Sequence, residues 1–228
     1  MRFNESFLNL MTAVATTCAV VVTSVVVYRQ VHVTPIAGAS ANPARERNRI
    51  VVDWKQQVAA GRRMGPANAP VTILYYGDFE CPACRAFAKV VEALRTAHPA
   101  EVSVIFRHSP LAYHRFAYSS ARAAECAADQ GRFEPMYKVL YAAQDSLGLV
   151  PYAEFARRIA VPDAKRFGSC MAAAGTVARI ERDREAAQKT NIPGTPGIII
   201  DGTLFSEKIP SAADLEDMVI AAARRAND

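Results

Sequence analysis

A chain of 228 residues with 51% hydrophobic content is long enough for one domain of ordinary size and an appendage. Its 27 basic and 22 acidic residues are interspersed, without a basic stripe interleaved with aromatics, which speaks against nucleic-acid binding and for a soluble surface. Of five cysteines, Cys18 falls in an apolar N-terminal run, leaving Cys81, Cys84, Cys126 and Cys170, an even number of the kind an oxidising compartment shows.

Residues 7–28 carry no charge and are dominated by Leu8, Leu10, Val14 and the valines at 20–22 and 25–27. Such a run suits a membrane span of about 20 residues better than the core of a signal peptide, usually about 7–15. Small-residue sites at 37–39 and 39–41 keep a cleaved signal as the competing reading, but they lie far beyond the run, and a retained anchor is the expectation. Residues 1–31 are read as a cytoplasmic tip and transmembrane signal anchor, and 32–48, with Pro35, Gly38, Ser40, Asn42 and Pro43, as a linker. The folded domain is expected over 49–228. Arg29, Arg45, Arg47 and Arg49 follow the run, which the positive-inside rule does not favour for export.

Residues 50–54 open the fold or join 55–60 in a short helix; the pattern leaves both open. Residues 61–70, with two Gly and two Pro, read as a separator. Val71, Ile73, Leu74, Tyr75 and Tyr76 then predict a buried strand broken by Gly77-Asp78. Pro82 suits a first helical position, and Ala83, Phe87, Val90, Val91 and Leu94 recur behind it at helical spacing. Cys81 therefore stands over a helix N-terminus, where orphan amides and the helix dipole favour a thiolate. Cys84, one turn on and on the same side, can close a disulfide with it. A zinc site would need two more ligands; Cys126 and Cys170 are far apart, and His108 and His114 lack a usual ligand spacing.

Residues 102–106 predict a second strand, parallel to the first through the helical crossover. Residues 107–114 read as the following loop, with His108 and His114 as solvated side chains or proton shuttles. From 116 to 189 the chain is Ala-rich and helical, broken at Gly131, 148–151, 161–162 and Gly175, so four or five helices fit. Phe133, Met136, Tyr137, Leu140 and Tyr141 have core spacing. A strand at 197–200 turns at Asp201-Gly202 into Thr203, Leu204 and Phe205. Ser211 caps a last helix with Leu215, Met218, Val219 and Ala222 inward.

The stretch Tyr76-Gly77-Asp78-Phe79-Glu80-Cys81-Pro82-Ala83-Cys84, together with Gly194-Thr195-Pro196 near the other end, resembles the DsbA-like group of thioredoxin-fold thiol:disulfide oxidoreductases. The resemblance runs from roughly residue 69 to the C-terminus. It implies an α/β thioredoxin fold with an α-helical subdomain inserted at about 115–190, here behind one transmembrane helix. It implies Cys81 as nucleophile, Cys84 as resolving thiol, and Asp78, Glu80, Pro82 and Ala83 as their support. Pro196 is expected to be cis, with the Thr195 backbone binding a substrate peptide as an added strand. No cofactor and no metal are implied. The expected partners are cysteine-containing exported proteins and a membrane quinone-linked reoxidase or a thiol reductant. On this resemblance the catalytic domain is expected outside the cytoplasm, in spite of the charge asymmetry.

Two departures stand out. Tyr75 occupies the position, six before the first cysteine, where many members carry a carboxylate that moves a proton for the second thiol. Asp78 and Glu80 are the nearest acids and read as solvated turn residues. Ala83 replaces a histidine of the best-known member, so a milder oxidant is expected. Cys126 and Cys170, in helix-like stretches at 121–128 and 162–174, are expected to form a structural disulfide, as a second pair does in some of the group. The alternatives are a reductase or isomerase, and an assembly factor whose thiols hold Cu(I), a soft metal.

Overall fold

Two neighbouring apolar strands set the architecture, because each is long, carries large side chains on both faces, and needs cover on both. The computed structural model describes residues 48–205 and 208–227, so the expected anchor and nearly all of the linker lie outside the described residues. In chain order the described elements are β1 (Arg49–Ile50), α1 (Trp54–Ala60), β2 (Arg62–Met64), β3 (Val71–Gly77), α2 (Pro82–Ala97), β4 (Val102–His108), α3 (Ala117–Ala128), α4 (Phe133–Ala142), a 3₁₀ turn (Gln144–Ser146), α5 (Tyr152–Arg158), α6 (Ala164–Ala172), α7 (Ala178–Lys189), β5 (Gly197–Ile200), β6 (Thr203–Phe205) and α8 (Ala212–Asn227). Among these, no helix is long and apolar enough to cross a membrane.

The sheet order is β1-β6-β5-β3-β4-β2. β3 and β4 pair in parallel, with Val71 opposite Val102 and Gly77 opposite His108, and α2 supplies the crossover that a parallel pair requires. β5 joins β3 antiparallel and continues into β6 through Asp201 and Gly202, whose φ values of 46° and 91° are what a tight two-residue hairpin demands.

Alternation along the strands divides the core into two layers. Ile73, Tyr75, Val104, Phe106 and Ile198 pack with Phe87, Val91 and Leu94 of α2, with Leu215 and Val219 of α8, and with the inserted helices. Leu74, Tyr76, Ile105, Ile199 and Leu204 form the second layer with Val51, Ala187 and the partly buried Trp54 and Val58. Five α-helices, α3 to α7, lie between β4 and β5 in the chain. The small, fully buried faces of Ala123, Ala124 and Ala127 let α3 pack closely. Cys126 of α3 and Cys170 of α6 are joined by a disulfide, with Cα atoms 5.7 Å apart.

Three local readings change. The separator at 61–70 contains β2, antiparallel to β4 with Arg62 opposite Phe106. A three-residue edge strand made of two arginines and one methionine gives no apolar signal, which is how natural sheet edges avoid unwanted pairing. The loop expected from 107 begins only after His108, which ends β4. His108 is also fully buried instead of solvated, because its Nε2 lies 2.9 Å from Glu125 Oε1 on α3.

Candidate active site

β3 ends at Gly77, where nothing larger fits: a Cβ there would stand 2.4 Å from the Phe106 ring and 2.9 Å from the Tyr141 hydroxyl. The turn that follows is held by Asp78. Its carboxylate accepts from the amides of Glu80 (2.8 Å) and Leu111 (2.9 Å) and pairs with His114 Nδ1 (2.8 Å). Glu80 in turn accepts from the Phe116 amide. These two acids are therefore not solvated turn residues. Asp78 is 1% exposed, and both carboxylates tie the turn before α2 to the loop after β4.

Cys81 is the N-cap of α2, in extended conformation, and Pro82 takes a first-turn position whose missing amide costs nothing there. Its carbonyl accepts from the Arg85 amide (3.1 Å) and from Gln144 Nε2 (3.0 Å), which also reaches the Phe79 carbonyl (2.7 Å). The thiol is 3.5 Å from the carbonyl oxygen of Thr195, and the Thr195–Pro196 bond is cis. The Thr195 hydroxyl is buried with no hydrogen-bond partner. Cys84 lies beneath, fully buried, its sulfur 3.5 Å from the Asp78 amide. Ala83 offers only its amide to the pair.

The two sulfurs are electrostatically unlike. The Cys81 thiol falls to about 5: a hydrogen bond with Cys84 is the largest cause, burial opposes it, and the Cys84 and Ala83 amides assist. Burial above all, and then the bond with Cys81, push the Cys84 thiol far up. The arrangement suits one chemistry, in which the stabilised Cys81 thiolate, 7% exposed against none for Cys84, forms a mixed disulfide and a protonated thiol behind it stands ready to resolve that bond.

The structure thus brings together Asp78, Glu80, Cys81, Pro82, Ala83, Cys84, Thr195 and Pro196, while Cys126 and Cys170 are bonded elsewhere, in the insertion. His108 turns away into a buried hydrogen bond with Glu125. Sequence reasoning missed Gln144 and Tyr141, which reach the site from the insertion and carry no local motif, and it noted Tyr75 only as an exchange. Among the described residues, no group of three or more His, Cys, Asp or Glu is placed to hold a metal ion.

The family description "Thioredoxin" matches residues 57–219. A thioredoxin-like oxidoreductase from Silicibacter pomeroyi DSS-3 superposes with a TM-score of 0.61 at 24% identity, over 77% of this chain and 98% of that one. The thiol-disulfide exchange protein alpha-DsbA2 from Wolbachia pipientis does so with 0.60 at 19% identity, over 74% and 91%. A Na(+)/H(+) antiporter, NhaA 3 of Salinispora tropica, is 37% identical over 139 residues, which are 60% of this chain but 21% of that protein. The chain thus spans about a fifth of the length of the curated relatives it matches.

Proposed function

The chain belongs to the thioredoxin family, with a DsbA-like helical insertion in its fold, and from that premise we propose that it is a thiol:disulfide oxidoreductase acting on cysteine-containing exported proteins. One observation carries the proposal: an N-cap Cys81 held near Thr195, with the protonated Cys84 directly behind it. In the oxidising direction a substrate thiolate attacks Cys81 Sγ of the Cys81–Cys84 disulfide, and Cys84 leaves with the electron pair and takes up a proton. The substrate's second thiolate then attacks its own sulfur in the mixed disulfide, and Cys81 departs as the stable thiolate. The substrate chain aligns along the Thr195 backbone as an added strand.

The oxidising direction is favoured by the depressed pKa of Cys81, since a stabilised thiolate stabilises the reduced enzyme and makes its disulfide the better oxidant. Residues 1–31 anchor the chain in the membrane, 32–48 form the tether, and the domain from 49 onward works on the extracytoplasmic side. There a quinone-linked membrane protein withdraws the electrons. The test is the full-length Cys84→Ser variant in cells, which lacks only the resolving thiol. It should accumulate mixed disulfides with exported proteins and stay in the membrane pellet after an alkaline carbonate wash. A folded variant without adducts contradicts the redox roles, and release of the protein by carbonate contradicts the anchor.

A further inference from the structure

On the redox reading above, negative charge gathers on Cys84 Sγ both when Cys84 is expelled from the Cys81–Cys84 disulfide and when it attacks to resolve a mixed disulfide. Its side chain is fully buried, where an uncompensated charge is costly. A donor already aimed at the sulfur offsets that cost at the moment the charge forms. The main-chain amide of Asp78 stands in that position, 3.5 Å from Cys84 Sγ. Burial, and then the bond with Cys81, push the Cys84 thiol up; the Asp78 amide is first among the groups that pull it down.

An amide at the end of a strand keeps its aim only if its peptide plane is fixed. The plane that carries the Asp78 N–H also carries the Gly77 carbonyl, pointing the opposite way. That carbonyl accepts from the Ser109 amide at 2.9 Å, and on the other side of the residue the Asp78 carbonyl accepts from the Cys81 amide at 3.2 Å. The side chain completes the hold. Its carboxylate, 1% exposed, accepts from the Glu80 amide at 2.8 Å and the Leu111 amide at 2.9 Å, and pairs with His114 Nδ1 at 2.8 Å. Ser109, Leu111 and His114 all belong to the loop after β4, so that loop, across the turn from α2, sets the direction of the Asp78 amide. Among the described residues the carboxylate makes no hydrogen bond to the Cys84 sulfur; it is placed as a tether.

We propose that the Asp78 amide is the preorganised donor to the charge that develops on Cys84 Sγ, and that the Asp78 side chain is the positioning group that holds this amide on target by its bonds to the loop after β4. When a substrate thiolate attacks Cys81 Sγ, the new sulfur–sulfur bond forms, the Cys81–Cys84 bond breaks, and Cys84 receives the electron pair against the Asp78 N–H before taking up a proton. In the resolving direction Cys84 gives its proton to solvent, its thiolate attacks Cys81 Sγ, and the substrate thiolate departs with the electron pair. The Asp78 amide donates in both directions and gives up no proton. The two sulfurs thus draw on different elements. Cys81 is served by amides of α2, and Cys84 by an amide beyond the end of β3.

The test uses the reduced full-length protein and the chromogenic disulfide dithiobis(nitrobenzoate). Attack by Cys81 gives a first, reagent-dependent release of chromophore, and resolution by Cys84 gives a second, unimolecular one. Asp78→Ala removes the tether but not the amide. The rate of the second phase relative to the first should fall by on the order of tenfold, the scale of one hydrogen bond to a charged group. Asp78→Asn keeps the length and an acceptor oxygen without the charge, and should recover most of that loss. An unchanged ratio in folded Asp78→Ala overturns the proposal. So does an Asp78→Asn protein no faster than Asp78→Ala, which would make the charge of the carboxylate, and not its tethering, the source. If Asp78→Ala does not fold, His114→Ala removes a single tether and reads the same ratio: a fall of about threefold agrees, and no fall overturns. Absence of the first phase in the unaltered protein would instead sink the redox assignment of Cys81.

Discussion

At the scale of single residues, the site depends on an asymmetry between two chemically identical side chains. Cys81 and Cys84 are one helical turn apart, yet the first gains donors at a helix start and the second gains little but burial. The sign of the pH dependence follows. A thiol lowered from 9.0 to about 5 stabilises the reduced protein fully above its unfolded pKa, and the benefit disappears as pH falls through about 5. Below that pH, reduction takes up two protons and the potential should change by about −59 mV per pH unit; above it, one proton and about −30 mV, given about 29.6 mV per tenfold change for two electrons. Redox equilibration against a dithiol buffer from pH 4 to 8 should show this break near the midpoint of the thiolate's ultraviolet absorbance, about 5. A single slope across the whole range would mean that Cys81 is not stabilised as a thiolate.

At the scale of elements, legibility followed sequence distance. The strand before Cys81, the helix after it and the Thr195–Pro196 strand entry are local patterns, and each lies where the spacing predicts it. The contacts that join elements were not legible, because their partners are far apart and none is apolar. Arg62 on β2 and His108 on β4 converge on Glu125 of α3, and Arg179 of α7 approaches within 3.4 Å. Arg107 and the His108 amide meet Asp183 of α7 at 2.7 and 2.9 Å, which fixes the end of β4 beside the site. A histidine in a polar stretch reads as solvated until its acceptor 17 residues on is folded over it. Burial pushes the Glu125 pKa up, but the bonds from His108 and Arg62 prevail and hold it at about 2. Glu125→Ala leaves both partners without their acceptor and should cost about 3–5 kcal/mol at neutral pH. Because the folded pKa is depressed, this stabilisation is present above 4.5 and lost as pH falls toward about 2. Urea unfolding of the two proteins over that window should converge, and a constant difference would show that ionised Glu125 is not the source.

At the scale of the whole molecule, the question is what fastens the insertion to itself while the sheet carries the redox pair. Gln144 and Tyr141 come to the site from the insertion, so its rigidity bears on the positions of both thiols. The Cys126–Cys170 bond ties α3 to α6 across a sequence separation of 44, and the chain-entropy model gives on the order of 4 kcal/mol for a closed loop of that length. Cys126 is 1% exposed, beside Glu125, and Cys170 packs partly buried against the same core, so most of the bond is shielded from reductant. The two pairs should therefore behave differently in one protein. A glutathione buffer should open Cys81–Cys84 while Cys126–Cys170 persists, as structural disulfides resist that pool. Replacing both Cys126 and Cys170 by Ala should lower unfolding stability by about 2–4 kcal/mol and leave the midpoint of the Cys81 thiolate unmoved, since neither sulfur is among the groups that shift it. Non-reducing peptide mapping after the glutathione step decides the matter. A cross-linked Cys126–Cys170 peptide beside alkylated Cys81 and Cys84 is the expected pattern, and free thiols at both insertion positions in protein taken from an oxidising compartment would show that packing alone holds α3 against α6.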